Sequence, residues 1–94
     1  MVKLIARLQA KAGQEAMVAE ALRKLTPPSR AEAGCILYDP CRVKDDPAVL
    51  LVLEEWESQA ALDEHMQTPH FHAFLAAVGE ALAGEPKLEV VERL

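Results

Sequence analysis

Several features that would place a 94-residue chain in a common functional class are missing here. No apolar run approaches the about 20 residues that span a membrane, and the first residues carry too short an apolar stretch for a signal peptide. The 10 basic residues are scattered and the net charge is −5, whereas a nucleic-acid-binding face needs clustered Lys and Arg. We therefore expect a cytoplasmic protein that binds neither membrane nor nucleic acid.

Cysteine is also scarce, and no Cys-x-x-Cys motif is present. Cys35 and Cys41, the only two, lie in a segment with an extended pattern. Six residues of strand span about 20 Å, well beyond the ~7 Å between Cα atoms that a disulfide tolerates. We therefore expect two free thiols in a reducing compartment. Phosphate-binding glycine loops and the GxSxG nucleophile motif are absent as well.

The length of 94 residues suits one domain and is too short for two, so residues 1–94 are expected to form a single unit. A domain of this size buries only roughly 60–65% of the surface that its unfolded chain exposes. Such a small core gains stability from a disulfide, a metal or a partner, and the cysteine spacing argues against the first of these.

Strand-like and helix-like apolar patterns alternate along the chain. They predict a β-α-β-β-α-β order, which is the ferredoxin-like arrangement of an α+β protein with a four-stranded antiparallel sheet. Ser29 and Glu32 have the Ser-x-x-Glu spacing of a capping box, which predicts a further short helical turn there. The predicted elements are a strand over Met1–Ala10, a helix over Gln14–Leu25 interrupted by Pro27-Pro28, a strand over Cys35–Val43, a central strand containing Ala48–Leu53 and paired with it as a hairpin, helical segments beginning after the N-caps Ser58 and Thr68, and a last strand over Leu88–Leu94.

The third predicted strand is apolar on both faces, which is typical of a strand covered on both sides. Two helices can cover only one face of a four-stranded sheet, so something else must cover the other. A second copy of the chain is the simplest candidate, because two-fold dimers are the commonest assembly. The alternative is a monomer whose exposed sheet face is a binding groove. The two faces of the strand carry Leu51 and Leu53 on one side and Leu50, Val52 and Trp56 on the other.

Two ionisable residues are candidates for chemistry in the interior. Strand parity places Glu54 on the same face as Val52 and Trp56, where burial would raise its pKa; the alternative is a strand-end Glu hydrogen-bonded to the adjacent chain. His65 lies near the edge of the core-facing helical stripe and could act as a general base in a cavity. The alternative for His65 is a packing role with a backbone carbonyl partner.

The remaining histidines give no sign of a metal site. His65 and His70 are separated by five positions with Pro69 between them, which differs from the His-x-x-x-His pair of a helical metal site. His72 is expected to be solvated. We therefore expect no bound metal. A lone Trp on an apolar strand usually packs in the core, and this is the alternative role for Trp56.

Two blocks of the sequence resemble the antibiotic biosynthesis monooxygenase family, and in particular its quinol monooxygenase-like members. The more diagnostic block has Glu-x-Trp-x-Ser at 54–58, His65 nine residues after the Trp, and Thr-Pro-His-Phe at 68–71. The other block covers 29–38, with Ala33 where the family usually has Pro. The resemblance extends over essentially the whole chain.

The resemblance implies a dimeric α/β barrel with a small pocket between helices and sheet in each subunit. It implies oxidation of a small quinol or phenolic aromatic by O₂ without flavin, metal or haem, so no cofactor is expected. His65 is then the expected catalytic proton acceptor. The expected pocket residues are Trp56, Tyr38, Phe71, Phe74 and His70, with Glu54 as a supporting partner.

Other activities of similar proteins fit less well or remain open. Relatives that degrade haem use an Asn on the first strand and a His late in the second helix, and this chain has no Asn and no His after Phe74 in that helix. An isomerase of a phosphorylated sugar would need a cationic anchor, for which Arg7, Arg42 and Lys44 are the candidates. A non-catalytic dimer that binds small hydrophobic molecules is the third alternative.

Overall fold

A computed structural model describes all 94 residues of the chain. It confirms the predicted α+β class and the ferredoxin-like order, with the second helical region divided in two. None of the helices is long and apolar enough to cross a membrane. The elements are β1 (Val2–Gln9), α1 (Glu15–Arg30), β2 (Cys35–Val43), β3 (Asp46–Trp56), α2 (Gln59–His65), α3 (Pro69–Val78), a 3₁₀ turn (Gly79–Ala81) and β4 (Lys87–Val91).

The four strands form one antiparallel sheet in the order β2-β3-β1-β4. β3 is therefore central, as its apolar run predicts, and β2 lies at an edge, where Pro40 costs no ladder hydrogen bond on its open side. The β2–β3 hairpin is also as predicted, because Val43 pairs with Asp46 across a two-residue turn. Leu4, Glu54 and Tyr38 form one row across β1, β3 and β2, which places all three on the face that the helices cover.

Helix α1 differs from its prediction, because it continues through Pro27 and Pro28 to Arg30. The missing proline N–H groups would have bonded the carbonyls of Arg23 and Lys24 four residues earlier. Both of these residues are on the exposed side of the helix, so water can satisfy their carbonyls. The two hydrogen bonds that the prolines remove therefore lie on the solvent side of the helix.

The predicted capping box at Ser29 and Glu32 is wrong for the same reason. Since α1 continues to Arg30, Ser29 belongs to its last turn and is not the residue before a new helix. The backbone N–H of Glu32 donates to the carbonyl of Ser29 at 3.1 Å. The Glu32 side chain is thereby left available for other partners.

The two N-caps around α2 and α3 are as predicted. The Ser58 hydroxyl accepts from the backbone N–H of Ala61 at 3.1 Å, and the Thr68 hydroxyl accepts from that of Phe71 at 3.3 Å. Pro69 occupies the first turn of α3, where its missing N–H would have no helical partner. The extended backbone of Thr68 ends the helical path between α2 and α3, so the chain bends between His65 and Pro69.

Candidate functional site

A cavity of about 100 Å³ lies between the sheet and the helices. Its wall is mainly apolar, and the polar groups in it belong to Tyr38, Glu54 and His65. Leu75 on α3 and Leu88 on β4, which are 40% and 49% exposed, are the most exposed residues of the wall and form its rim. The cavity thus has an apolar interior, a few polar groups and access from one side. The lining residues are Leu4, Ala6, Leu8, Leu22, Leu25, Tyr38, Val52, Glu54, His65, Met66, Phe71, Phe74, Leu75, Pro86 and Leu88.

Glu54 is a buried carboxyl in the floor of this cavity, on the face that strand parity predicts. Its Oε1 accepts a hydrogen bond from Nε1 of Trp56 at 2.9 Å. Burial raises the pKa of Glu54 to about 7; the hydrogen bond from Trp56 opposes this shift, and the negative charge of Glu32 adds to it. Glu54 therefore changes its charge near neutral pH, within an apolar wall.

Tyr38 faces the cavity beside Glu54, with which it pairs across β2 and β3. Burial is the main cause of a strongly raised pKa for its phenol, and the charge of Glu54 acts in the same direction. The Tyr38 hydroxyl consequently stays protonated in the physiological range. It can donate a hydrogen bond to a ligand, but it cannot serve as a base there.

His65 is the last residue of α2 and is only 2% exposed. Its ring is surrounded by aromatic rings, with centroid distances of 4.6 Å to Trp56, 5.1 Å to Phe71 and 5.5 Å to Tyr38. These contacts hold the imidazole in one orientation at the cavity wall. The backbone carbonyl of His65 accepts from the Thr68 hydroxyl, so its helix end is also tied to the cap of α3.

Glu32 is the site residue that sequence reasoning missed. One carboxylate oxygen, Oε2, lies 2.7 Å from Nδ1 of His65 and 2.7 Å from Nε2 of His70. The partner of the His65 ring is therefore a carboxylate, and not the backbone carbonyl that a simple packing role would give it. Glu32 had two sequence signals: it lies in the 29–38 block of the family resemblance, and its capping-box spacing pointed to a local backbone role.

The same three side chains are the one set of metal-ligand groups in the chain that converge, with their ligand atoms within 4.8 Å of one another. His65 and His70 thus meet although they lack the His-x-x-x-His spacing of a helical metal site, because the residues between α2 and α3 bring their rings together. Two histidines and a carboxylate are a donor set that zinc and iron use. The two 2.7 Å contacts to a single oxygen have the length of charge-assisted hydrogen bonds.

The remaining predicted pocket residues divide between the cavity wall and its support. Phe71 and Phe74 lie in the wall. Trp56 does not line the cavity, because its fully buried indole packs behind the His65 ring. His70 does not line it either, because the first turn of α3 directs its ring towards Glu32, where it is about one-quarter exposed. Trp56 and His70 are nevertheless both neighbours of the His65 ring, with centroid distances of 4.6 Å and 6.1 Å.

The fold and the site define a small ferredoxin-like α+β protein with a histidine in the wall of an apolar cavity. The sequence profile of the family described as "Antibiotic biosynthesis monooxygenase" matches residues 1–77. The chain therefore belongs to the antibiotic biosynthesis monooxygenase family, which supports a monooxygenase-type function.

Individual relatives agree with this assignment. The chain is 33% identical over 88 residues to the Escherichia coli K12 protein named "Probable quinol monooxygenase YgiN", covering 83% of this chain and 85% of that protein. It is 38% identical over 63 residues to the uncharacterized Synechocystis protein sll1783, covering 67% of this chain and only 43% of that protein. The crystal structure of PA3566 from Pseudomonas aeruginosa superposes with a TM-score of 0.93 at 35% identity, covering 99% of this chain and 93% of that one.

Proposed function

We propose that this protein is a monooxygenase that oxidises a small quinol or phenolic aromatic with O₂, without a cofactor and with His65 as the proton acceptor. The observation that carries the proposal is the placement of the buried His65 imidazole in the wall of the apolar cavity. The family assignment and the name of the YgiN relative favour the same chemistry.

The size of the cavity supports a small aromatic substrate. A dry apolar cavity of about 150 Å³ holds a benzene ring, and the cavity here measures about 100 Å³ below a partly open rim. The cavity is thus smaller than one that holds benzene, and a single ring requires the flexible Met66 side chain to move, with any substituents projecting past Leu75 and Leu88. Sites for larger ligands usually measure about 300–1,000 Å³.

The polar groups in the wall suit deprotonation of a phenol. Nδ1 of His65 contacts Glu32, and its Nε2 makes no hydrogen bond within the chain, so Nε2 is the nitrogen available to a substrate. Removal of a phenolic proton gives an electron-rich anion that passes one electron to O₂. The resulting radical pair recombines, which forms a carbon–oxygen bond and leaves a peroxide on the ring.

The oxygen–oxygen bond then breaks, and one oxygen stays on the ring as a carbonyl or hydroxyl. The other oxygen leaves as water, using the proton that His65 returns and one from the ring carbon. Overall, a quinol and O₂ give a hydroxylated quinone and water, so atoms and electrons balance without an external reductant. The protein supplies orientation, exclusion of water and a base.

The alternative activities find less support at this site. No Lys or Arg lines the cavity, so a phosphorylated sugar would lack its cationic anchor there. Arg7 is on the opposite face of the sheet, and Lys44 is in the β2–β3 turn. A non-catalytic carrier of small hydrophobic molecules would use the same cavity and differs from a monooxygenase only in turnover.

Oxygen uptake with a panel of hydroquinones in metal-free buffer containing a chelator tests the proposal. We expect turnover above the rate of autoxidation, and we expect His65→Ala to lower it by about 10²- to 10⁴-fold, the usual contribution of a general base. His72→Ala is the matched control, because His72 is exposed on α3. Unchanged turnover in His65→Ala would remove His65 as the base, and ligand-induced stabilisation without any turnover would favour the carrier.

We also propose that the functional unit is a homodimer joined through the open face of the sheet. Leu53 is 37% exposed and Val91 41% exposed on strands whose other face packs under the helices. Pairing two such faces would bury both. Sedimentation at micromolar concentration should give a dimer, and Leu53→Glu should shift it to monomer; a wild-type species of 10 kDa would contradict the proposal.

A further inference from the structure

We infer that Glu32 is a positioning residue that sets the tautomer and stabilises the charge of His65, and that His70 holds the Glu32 carboxylate in place. The catalytic meaning of this inference rests on the proposed function. The geometry on which it stands does not depend on the identity of any substrate.

Two histidines from different helices contact the same carboxylate oxygen of Glu32. Glu32 lies in the turn after α1, His65 ends α2, and His70 belongs to the first turn of α3. Nδ1 of His65 and Nε2 of His70 are each 2.7 Å from Oε2 of Glu32. The partners are 33 and 38 positions away in sequence, so the cluster is a product of the tertiary fold.

The contact with Glu32 decides which nitrogen of His65 carries the proton. An ionised carboxylate only accepts hydrogen bonds, while a neutral imidazole has one donor and one acceptor nitrogen. Nδ1 of His65 must therefore be the donor, which leaves the lone pair on Nε2. A general base in the cavity wall needs this lone pair.

The same contact provides a counter-charge when His65 takes up a proton. The resulting imidazolium is only 2% exposed, and an unpaired buried cation is strongly disfavoured. Oε2 of Glu32 lies at ion-pair distance from it. Glu54, the carboxyl that lines the cavity, accepts a hydrogen bond from Trp56 and makes no ion pair with His65.

His70 completes the arrangement from the surface side. Its ring is about one-quarter exposed, and its Nε2 lies 2.7 Å from the oxygen that His65 also uses. Because an ionised carboxylate only accepts hydrogen bonds, Nε2 is the donor in this contact. A carboxylate held by two donors has less freedom to rotate away from either. We therefore expect His70 to affect catalysis through Glu32 and not through contact with the substrate.

Long-range ¹H–¹⁵N NMR of the ligand-free protein tests the tautomer directly, because the chain has only three histidines. Wild-type His65 is expected as the Nδ1–H tautomer, and Glu32→Ala is expected to remove that preference. Glu64→Ala is the control, since Glu64 is exposed and adjacent to His65. An Nε2–H tautomer in the wild type, or an unchanged tautomer in Glu32→Ala, would overturn the inference.

Turnover separates positioning from simple structural support. With folding verified by circular dichroism, Glu32→Gln should lower kcat by about 10²- to 10⁴-fold with little change in KM, because it removes support for the base. His70→Ala should lower kcat by roughly 3- to 10-fold, the range of one hydrogen bond, and His72→Ala should not. An unchanged kcat in Glu32→Gln contradicts the positioning role, whereas a wild type with the expected tautomer but no turnover contradicts only the proposed function.

Discussion

Glu54 should make the stability of this protein fall as pH rises towards neutrality. Burial raises its pKa from 4.5 to about 7. Between these values the folded state keeps a proton that the unfolded state has released, so raising the pH favours unfolding. The stabilisation is fully present below pH 4.5 and is lost as pH rises through about 7.

The two pKa values set the size of the effect. A gap between 4.5 and about 7 corresponds to a free energy on the order of 3 kcal/mol. Because the unfolded chain is already partly ionised at pH 5, about 2.5 kcal/mol of this should be lost between pH 5 and 8. For a domain of this length, that is a shift of roughly 10 °C or more in Tm.

Glu54→Gln isolates this contribution, because the amide stays neutral and keeps an oxygen that can accept from Trp56 Nε1. Urea unfolding at fixed protein concentration, repeated between pH 5 and 9, gives the stability difference between wild type and variant at each pH. The variant should gain about 2.5 kcal/mol relative to wild type from pH 5 to 8. The exposed Glu57→Gln should show no such trend, and a pH-independent difference for Glu54→Gln would refute the reasoning.

Two further predictions concern packing near the site. Gly34→Ala should destabilise the fold by about 1–3 kcal/mol, because the added Cβ would overlap that of Ala61. Gly79→Ala is the control, since a Cβ there meets open space and should be neutral or slightly stabilising. Equal Tm changes in the two variants would contradict this prediction. Trp56→Phe removes the donor to Glu54 from a fully buried position and should cost about 1–3 kcal/mol. Its loss of stability should be larger at pH 8 than at pH 5, since the unpaired carboxyl is then charged; a pH-independent loss would count against the Glu54–Trp56 bond.

Local chemistry explains the parts of the fold that could be predicted. Ser58 and Thr68-Pro69 define helix starts through bonds within a few residues, so α2 and α3 begin where the sequence indicates. The continuous apolar run of β3 predicted a central strand, and β3 does lie between β2 and β1 in the sheet. The end of α1 was mispredicted because the cost of Pro27 and Pro28 depends on which carbonyls lose a donor.

The sequence by itself determined the element order and the face on which Glu54 lies, because these follow from periodicities of two and 3.6 residues. It also determined the central position of β3, through the unbroken apolar run of that strand. It also singled out His65 as the candidate base. Only the tertiary structure decided which partner His65 has. Glu32 reaches His65 and His70 across 33 and 38 positions, and no local pattern encodes such a contact, since it depends on how α1 ends and on how α2 and α3 bend over the sheet.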